Sequence, residues 1–168
     1  PILKKVFVAS GIRYDMILDD KKDGDAFLEE IVKNHVSGQM KIAPEHATDK
    51  VLNVMGKQGK SLLVNFRDKF NKLNKKLGKN QFLTYYFIAA HPGCNEQDML
   101  ELKDFTMKEL NLNPEQVQVF TPTPSTYSTL MYYTEMNPFT NKKIFVEKDL
   151  KKKEKQKERL TIRKKLKK

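Results

Sequence analysis

The sequence predicts an α/β fold of parallel βα repeats followed by a basic helical tail, on three observations. Four short apolar runs alternate with stretches of helical periodicity. Each run ends in a cluster of turn residues rich in Gly, Pro and His. The charge is lopsided: of a formal +11, +9 lies in 148–168, where twelve basic side chains stand against three acidic ones. A nearly neutral body, 1–147, thus precedes a cationic extension, 148–168. Strands separated by helices in this way lie parallel, with right-handed crossovers.

The elements follow in order. Val6-Phe7-Val8-Ala9 is the first run and reads as a buried strand, broken at Ser10-Gly11. Asp25 is a suitable N-cap for a helix whose apolar face is Phe27, Leu28, Ile31 and Val32, and Ser37-Gly38 stops it. Met40-Lys41-Ile42-Ala43 is the second run, ending at Pro44. Thr48 caps a short helix with Val51, Leu52 and Met55 inward, closed by Gly56. Leu63, Phe66, Phe70, Leu73 and Leu77, at 3-4-3-4 spacing, predict a longer helix ending at Gly78. Residues 82–90 form the third run, broken at His91-Pro92-Gly93. Asn95 caps the next helix, where Asp98 suits the positive end of the dipole and Met99, Leu102, Phe105 and Leu110 mark the helix. Val117-Gln118-Val119-Phe120 is the fourth run, broken by Pro122 and Pro124. The tail offers Leu150, Leu160, Ile162 and Leu166; Leu160 and Ile162 cannot share a helix face, so a mostly solvated helical extension is expected.

Composition narrows the classes. A hydrophobic share of 39% supports a core, and no run approaches the ~18 apolar residues of a membrane span. Pro1-Ile2-Leu3-Lys4-Lys5 lacks the layout of a signal peptide, so a cytoplasmic location is expected. One cysteine, Cys94, excludes an intrachain disulfide and a self-contained Cys₄ metal site. Four strands are too few for a closed barrel, which typically takes about 200 residues or more, so the body reads as half of a larger unit.

Function is expected at the strand exits, because in a parallel βα array they all open on one edge, where ligands bind. The exits are Ser10-Gly11-Ile12-Arg13, Pro44-Glu45-His46, His91-Pro92-Gly93-Cys94 and Thr121-Pro122-Thr123-Pro124.

Taken together, KKVFVASGIRYD (4–15), HVSGQMKIAPEHATDKVLNVMGK (35–57), FIAAHPGCNEQDMLEL (87–102), QVQVFTPTPSTYSTLMYYT (116–134) and NPFTNKKIFV (137–146) resemble the C-terminal half of the radical S-adenosylmethionine (SAM) barrel, a partial TIM-type barrel, in its YgiQ-type subfamily. The resemblance spans 1–147. It implies a parent enzyme in which a [4Fe–4S] cluster reduces SAM to give a 5′-deoxyadenosyl radical. The cluster-binding CxxxCxxC loop is absent here, so the resemblance implies an excised fragment, inactive alone, whose N-terminal remainder holds the cluster. It does not place Cys94 among the ligands, and no metal ligand is expected in this chain. It implies that Ser10 and Arg13 meet the ribose or carboxylate of SAM, a carboxylate suiting the guanidinium of Arg13. It sets Glu45 and His46 near SAM or an unknown substrate, the backbone of His91, Pro92 and Gly93 near the adenine, and Thr121 and Thr123 on the far wall.

Each residue also has a plainer reading. Arg13 can pair with Asp15 or Asp20, Glu45-His46 can cap the helix at Thr48, and His91 can be a turn residue with a satisfied ring. Cys94 reads as inert. Tyr85, Tyr86 and Phe87 read as core, whereas Tyr127, Tyr132 and Tyr133 have no assigned role. Gly56-Lys57-Gln58-Gly59-Lys60-Ser61 is not a P-loop, since Val54 stands where Gly is needed and a helix, not a strand, precedes it. Two other functions compete: nucleic-acid binding through the Lys-rich tail, and a small hydrolase using Glu45 and His46, for which no nucleophile elbow exists.

Overall fold

The computed structural model describes residues 4–161. Pro1, Ile2 and Leu3, the tail residues Ile162 and Leu166, and five of the twelve tail cations lie outside the described residues. The fold is α/β with a small parallel three-stranded sheet of order β1-β2-β3, the strands being β1 (Gln39–Glu45), β2 (Phe82–Ala89) and β3 (Gln116–Val119). The chain divides into two compact units, one up to Pro44 with Lys60–Tyr86, the other Glu45–Gly59 with everything from Phe87 onward. No described helix is long and apolar enough to cross a membrane.

The expected first strand does not form. Residues 4–9 have no strand pairing, and Val6, Phe7 and Val8 are exposed. Their backbone bonds go elsewhere: Val8 N donates to the carbonyl of His35, and Val6 O lies 2.8 Å from His35 Nδ1. Among its described residues this segment reaches β1 by one parallel bridge, Ile12 to Ile42. An apolar run is a strand only where a ladder satisfies its donors and acceptors, and here a helix end takes them instead.

The rest of the first unit is built on helices. α1 (Tyr14–Asp19) buries Tyr14 and Ile17; α2 (Gly24–Glu30) buries Leu28 and continues as a π-helical turn, Ile31–His35. The expected cap at Asp25 lies inside α2, whose N-cap position is Asp23. Phe27, expected inward, is exposed. Gly24 starts α2 because a Cβ there would sit 2.1 Å from the carbonyl oxygen of Ile17. The wide π turn frees carbonyls, and Gln81 Nε2 donates to those of Val32 and Val36. α4 (Lys60–Lys76) follows its apolar stripe, burying Leu63, Phe66 and Phe70, with Tyr14 packed against Phe66 at 5.5 Å. It ends in a glycine turn, Gly78 at φ 61 and Lys79 N donating to Asn74 O.

The second unit holds α3 (Asp49–Val54), the end of β2, α5 (Glu96–Lys108), β3, α6 (Tyr127–Thr134) and α7 (Leu150–Thr161). Asn95 caps α5 as expected: its side chain accepts from Asp98 N, and Asp98 Oδ2 accepts from Asn95 N. The expectation of a solvated tail is corrected as far as Thr161. α7 is a helix whose Lys153, Gln156 and Leu160 are buried, packed on α5 and β3. Positions 153, 156 and 160 fall on one face by 3-4 spacing, and two of the three are polar, so hydrophobicity alone does not mark that face.

Candidate functional site at the strand exits

In the second unit both strand ends are built alike. β1 ends on Glu45 at φ 64, and β2 is followed by Ala90 at φ 57. A non-glycine residue in the left-handed region costs roughly 1–2 kcal/mol. Each is followed at once by a histidine turned inward, His46 at 1% and His91 at 3% exposure. Reversing the backbone at the strand end directs the next side chain into the unit rather than along the pleat.

Burial fixes the state of both rings. His46 Nδ1 accepts from Thr48 N at 3.0 Å. A backbone N–H can only donate, so the neutral ring carries its proton on Nε2, facing Cys94 Sγ at 3.6 Å. Burial pushes the His46 pKa down to about 4, against the weaker opposing pull of Asp98. His91 Nδ1 lies 2.8 Å from Pro92 O and Nε2 lies 2.8 Å from Ser128 Oγ, while Phe120 packs edge-on at 5.1 Å. Burial likewise pushes its pKa down to about 4. The ring of His91 is satisfied internally, as its plainer reading had it, whereas His46 bonds the N–H of Thr48 and no side chain caps α3.

Cys94 is fully buried, and its thiol lies 3.7 Å from both Asn95 O and Gln156 Oε1. Burial, with the charge of Asp98, pushes the thiol up to about 12. His46 and Cys94 are therefore a neutral ring beside a neutral thiol, not an activated nucleophile and base.

Two interactions tie this exit to the helices around it. Thr48 Oγ1 donates to Asp98 O at 3.2 Å, and Lys50 Nζ donates to Asp98 Oδ2 at 2.7 Å. From α7, Gln156 Oε1 accepts from Ala90 N at 3.1 Å, holding the strained residue itself. Gly93 has φ 86, its N–H donates to Phe145 O at 2.7 Å, and a Cβ would lie 3.1 Å from Val54 Cγ2. Gly93→Ala is expected to destabilise the chain by about 2 kcal/mol, from the left-handed backbone and the displaced valine, read as a lower urea midpoint at unchanged slope.

The remaining site residues are more open. Glu45 is half-buried, with Oε1 3.4 Å from Lys57 Nζ. Pro92 is buried in the turn. Thr121 and Thr123 are exposed; Thr121 Oγ1 contacts Val119 O at 3.4 Å, and Thr123 is clasped by Thr129, whose Oγ1 donates to its carbonyl at 2.6 Å. Ser10 and Arg13 belong to the first unit, both exposed, and Arg13 makes a two-pronged pair with Asp15 at 2.8 and 2.5 Å. Sequence reasoning missed Gln156, Ser128 and Lys50. Nothing in a Lys-rich helix marks one glutamine as the partner of a distant backbone amide. Among the described residues no cluster of His, Cys, Asp and Glu could hold a metal ion.

Residues 115–166 match a family model described as Domain of unknown function (DUF3362). The chain is 66% identical over 165 residues to a UPF0313 protein of Fusobacterium nucleatum, covering 98% of the chain and 29% of that relative. It is 48% identical over 153 residues to a UPF0313 protein of Clostridium botulinum, covering 91% of the chain and 23% of the relative. With a UPF0313 protein of Thermotoga neapolitana it shares 46% identity over 165 residues, 98% of the chain and 29% of the relative. The chain is thus similar along almost its whole length to proteins named UPF0313 protein, and it spans less than a third of theirs.

Proposed function

We propose that this chain is part of a longer radical SAM enzyme, the C-terminal portion of a partial TIM-type barrel, supplying strand-exit loops that face SAM and its substrate. The observation that supports this most is the matched pair of exits. Two strand ends each hold a left-handed non-glycine residue and a buried histidine. Backbone strain persists only where its surroundings enforce it, and it clusters at ligand sites. The similarity to proteins more than three times as long agrees with a fragment of a larger catalytic unit.

A [4Fe–4S] cluster does not fit the residues of this chain. Its one thiol is buried and pushed up to about 12, whereas a cluster ligand must be a thiolate. The ligands therefore belong to sequence outside the chain. SAM fits in part. Glu45 offers a half-exposed carboxylate to an amine or a diol, whereas the guanidinium of Arg13 is engaged by Asp15. His46 and His91 are positioning residues, since their ring nitrogens face the chain's own groups. The exposed Thr121 and Thr123 leave polar surface at the third exit.

The test is made on the longer protein, purified without oxygen. Visible iron–sulfur absorption and reductant-dependent release of 5′-deoxyadenosine from SAM are expected. Glu45→Gln should lower that release about tenfold or more with the absorption unchanged, as for loss of a hydrogen bond to a charged group. A longer protein lacking a CxxxCxxC sequence, or one that carries the cluster yet leaves SAM intact, sinks the reading.

A further inference from the structure

We propose that α6 and the hairpin after it form a stacking surface for single-stranded nucleic acid, adjoining the exit at Thr123 and independent of the radical SAM reading. The surface begins as a groove of about 570 Å³ along α6, whose apolar lining is Tyr127, Leu130 and Tyr133. All three are exposed, at 62%, 47% and 70%. Tyr127 also meets Phe139, itself 65% exposed, with ring centroids 4.7 Å apart.

Phe139 sits at the tip of a tight hairpin. Asn141 N donates to Asn137 O at 2.8 Å, Asn137 N donates to Lys142 O at 2.8 Å, and Met136 bridges to Lys143 antiparallel. The hairpin thereby fixes an aromatic ring and two lysines within one turn of chain. Lys142 and Lys143 are exposed and make no salt bridge among the described residues; Glu135 pairs with Lys148 and also feels the charge of Lys143.

Open rings beside exposed lysines distinguish this face from the core of a protein interface, which is depleted of lysine. They match what an unpaired strand presents: flat base faces in series on an anionic backbone. The cationic α7 segment that follows adds field in the same unit, with Lys151 and Lys152 also outside any ion pair among the described residues.

The structure also changes how a tail effect must be tested. Truncation at Glu147 removes the buried face of α7, so loss of binding there would report unfolding. Removing 162–168 takes off five cations and keeps Leu150–Thr161 with its buried Lys153, Gln156 and Leu160.

The probe is a fluorescently labelled 15-nucleotide oligo(U), followed by anisotropy at 50 and 200 mM salt. Tyr133→Ala and Tyr127→Ala should each weaken binding about tenfold, the typical effect of removing one stacking ring, with the salt dependence and the far-UV spectrum unchanged. Lys142→Gln with Lys143→Gln should make the dependence on log salt shallower by about 1 to 2. A duplex of equal length should bind more weakly, because its bases are not free to stack. Three results would each overturn the proposal: no binding at 50 mM salt, equal binding of duplex and single strand, or affinity that ignores both tyrosines and falls only when 162–168 are removed.

Discussion

Acidification from pH 7 to 4 is expected to cost the fold about 3 kcal/mol for each of His46 and His91. Both rings stay neutral in the folded state down to about pH 4, because burial denies the charged form its water. In the unfolded chain they take up protons near 6.5. Between those values the unfolded state binds more protons, so stability falls as pH falls, starting near 6.5 and complete near 4. About 1.4 kcal/mol per pKa unit sets the size. The groups facing His46 do not reverse the sign. Asp98 favours its protonation, whereas Lys50 and His91 oppose it. Asp15 and Glu135, held low by Arg13 and Lys148, begin to add their losses as the unfolded chain takes up protons near their ordinary values of 3.8 and 4.5, at the acid edge of the histidine window.

The measurement is a series of urea titrations at pH 7.5, 6, 5 and 4.5, followed by circular dichroism. The slope of stability against pH should correspond to about two protons taken up on unfolding, and His46→Asn or His91→Asn should reduce it to about one. A lower stability of either variant at pH 7.5 leaves this test intact, because it reads the slope. Variants as acid-sensitive as the parent would mean that these rings are not held neutral by the fold.

Most of the helices were legible in the sequence because a helix writes its buried face as a period. Leu63, Phe66 and Phe70 are buried where the stripe put them, and Asn95 and Asp98 close the capping box. β1, β2 and β3 were legible for a related reason: each run alternates or stays apolar and finds a neighbour in the sheet. Val6-Phe7-Val8 has the same composition but no ladder, and composition cannot say whether a partner strand is present. α1 and α6 escaped notice because one or two turns offer too few buried positions, Tyr14 and Ile17 in the first and Met131 in the second. At the exits, the residue types were readable but their work was not. His46 and His91 look like ligands in sequence, whereas in the folded chain their nitrogens are taken by Thr48, Cys94, Pro92 and Ser128. Whether a polar ring faces outward or inward is decided by the left-handed backbone at Glu45 and Ala90, which leaves no trace in residue type.

Removal of α7 is expected to unfold the second unit outright, although its sequence reads as a soluble lysine helix. Gln156 satisfies the buried N–H of Ala90, and an orphaned buried donor costs about 1–3 kcal/mol. Leu160 is 1% exposed, and truncating such a leucine costs roughly 2–5 kcal/mol. Lys153 is buried with its ammonium 3.0 Å from Tyr132 Oη and 4.5 Å from the ring centroid, and Arg159 Nε donates to Glu96 Oε1 at 2.7 Å. Together these approach the whole stability of an ordinary domain, about 5–15 kcal/mol. Single substitutions separate the contributions. Leu160→Ala should cost about 3 kcal/mol and Gln156→Leu about 2, whereas Leu150→Ala, at a position 75% exposed, should stay within about 0.5 kcal/mol. Urea midpoints at pH 7.5 read all three. Equal midpoints for Leu160→Ala and Leu150→Ala, or a chain ending at Glu147 that still unfolds cooperatively at the parent's midpoint, would show α7 to be an attachment and not part of the core. Because Gln156 bonds directly to Ala90, the same substitution should also loosen the exit it holds: Gln156→Leu is expected to expose the Cys94 thiol to a thiol reagent faster than Leu160→Ala does at matched stability.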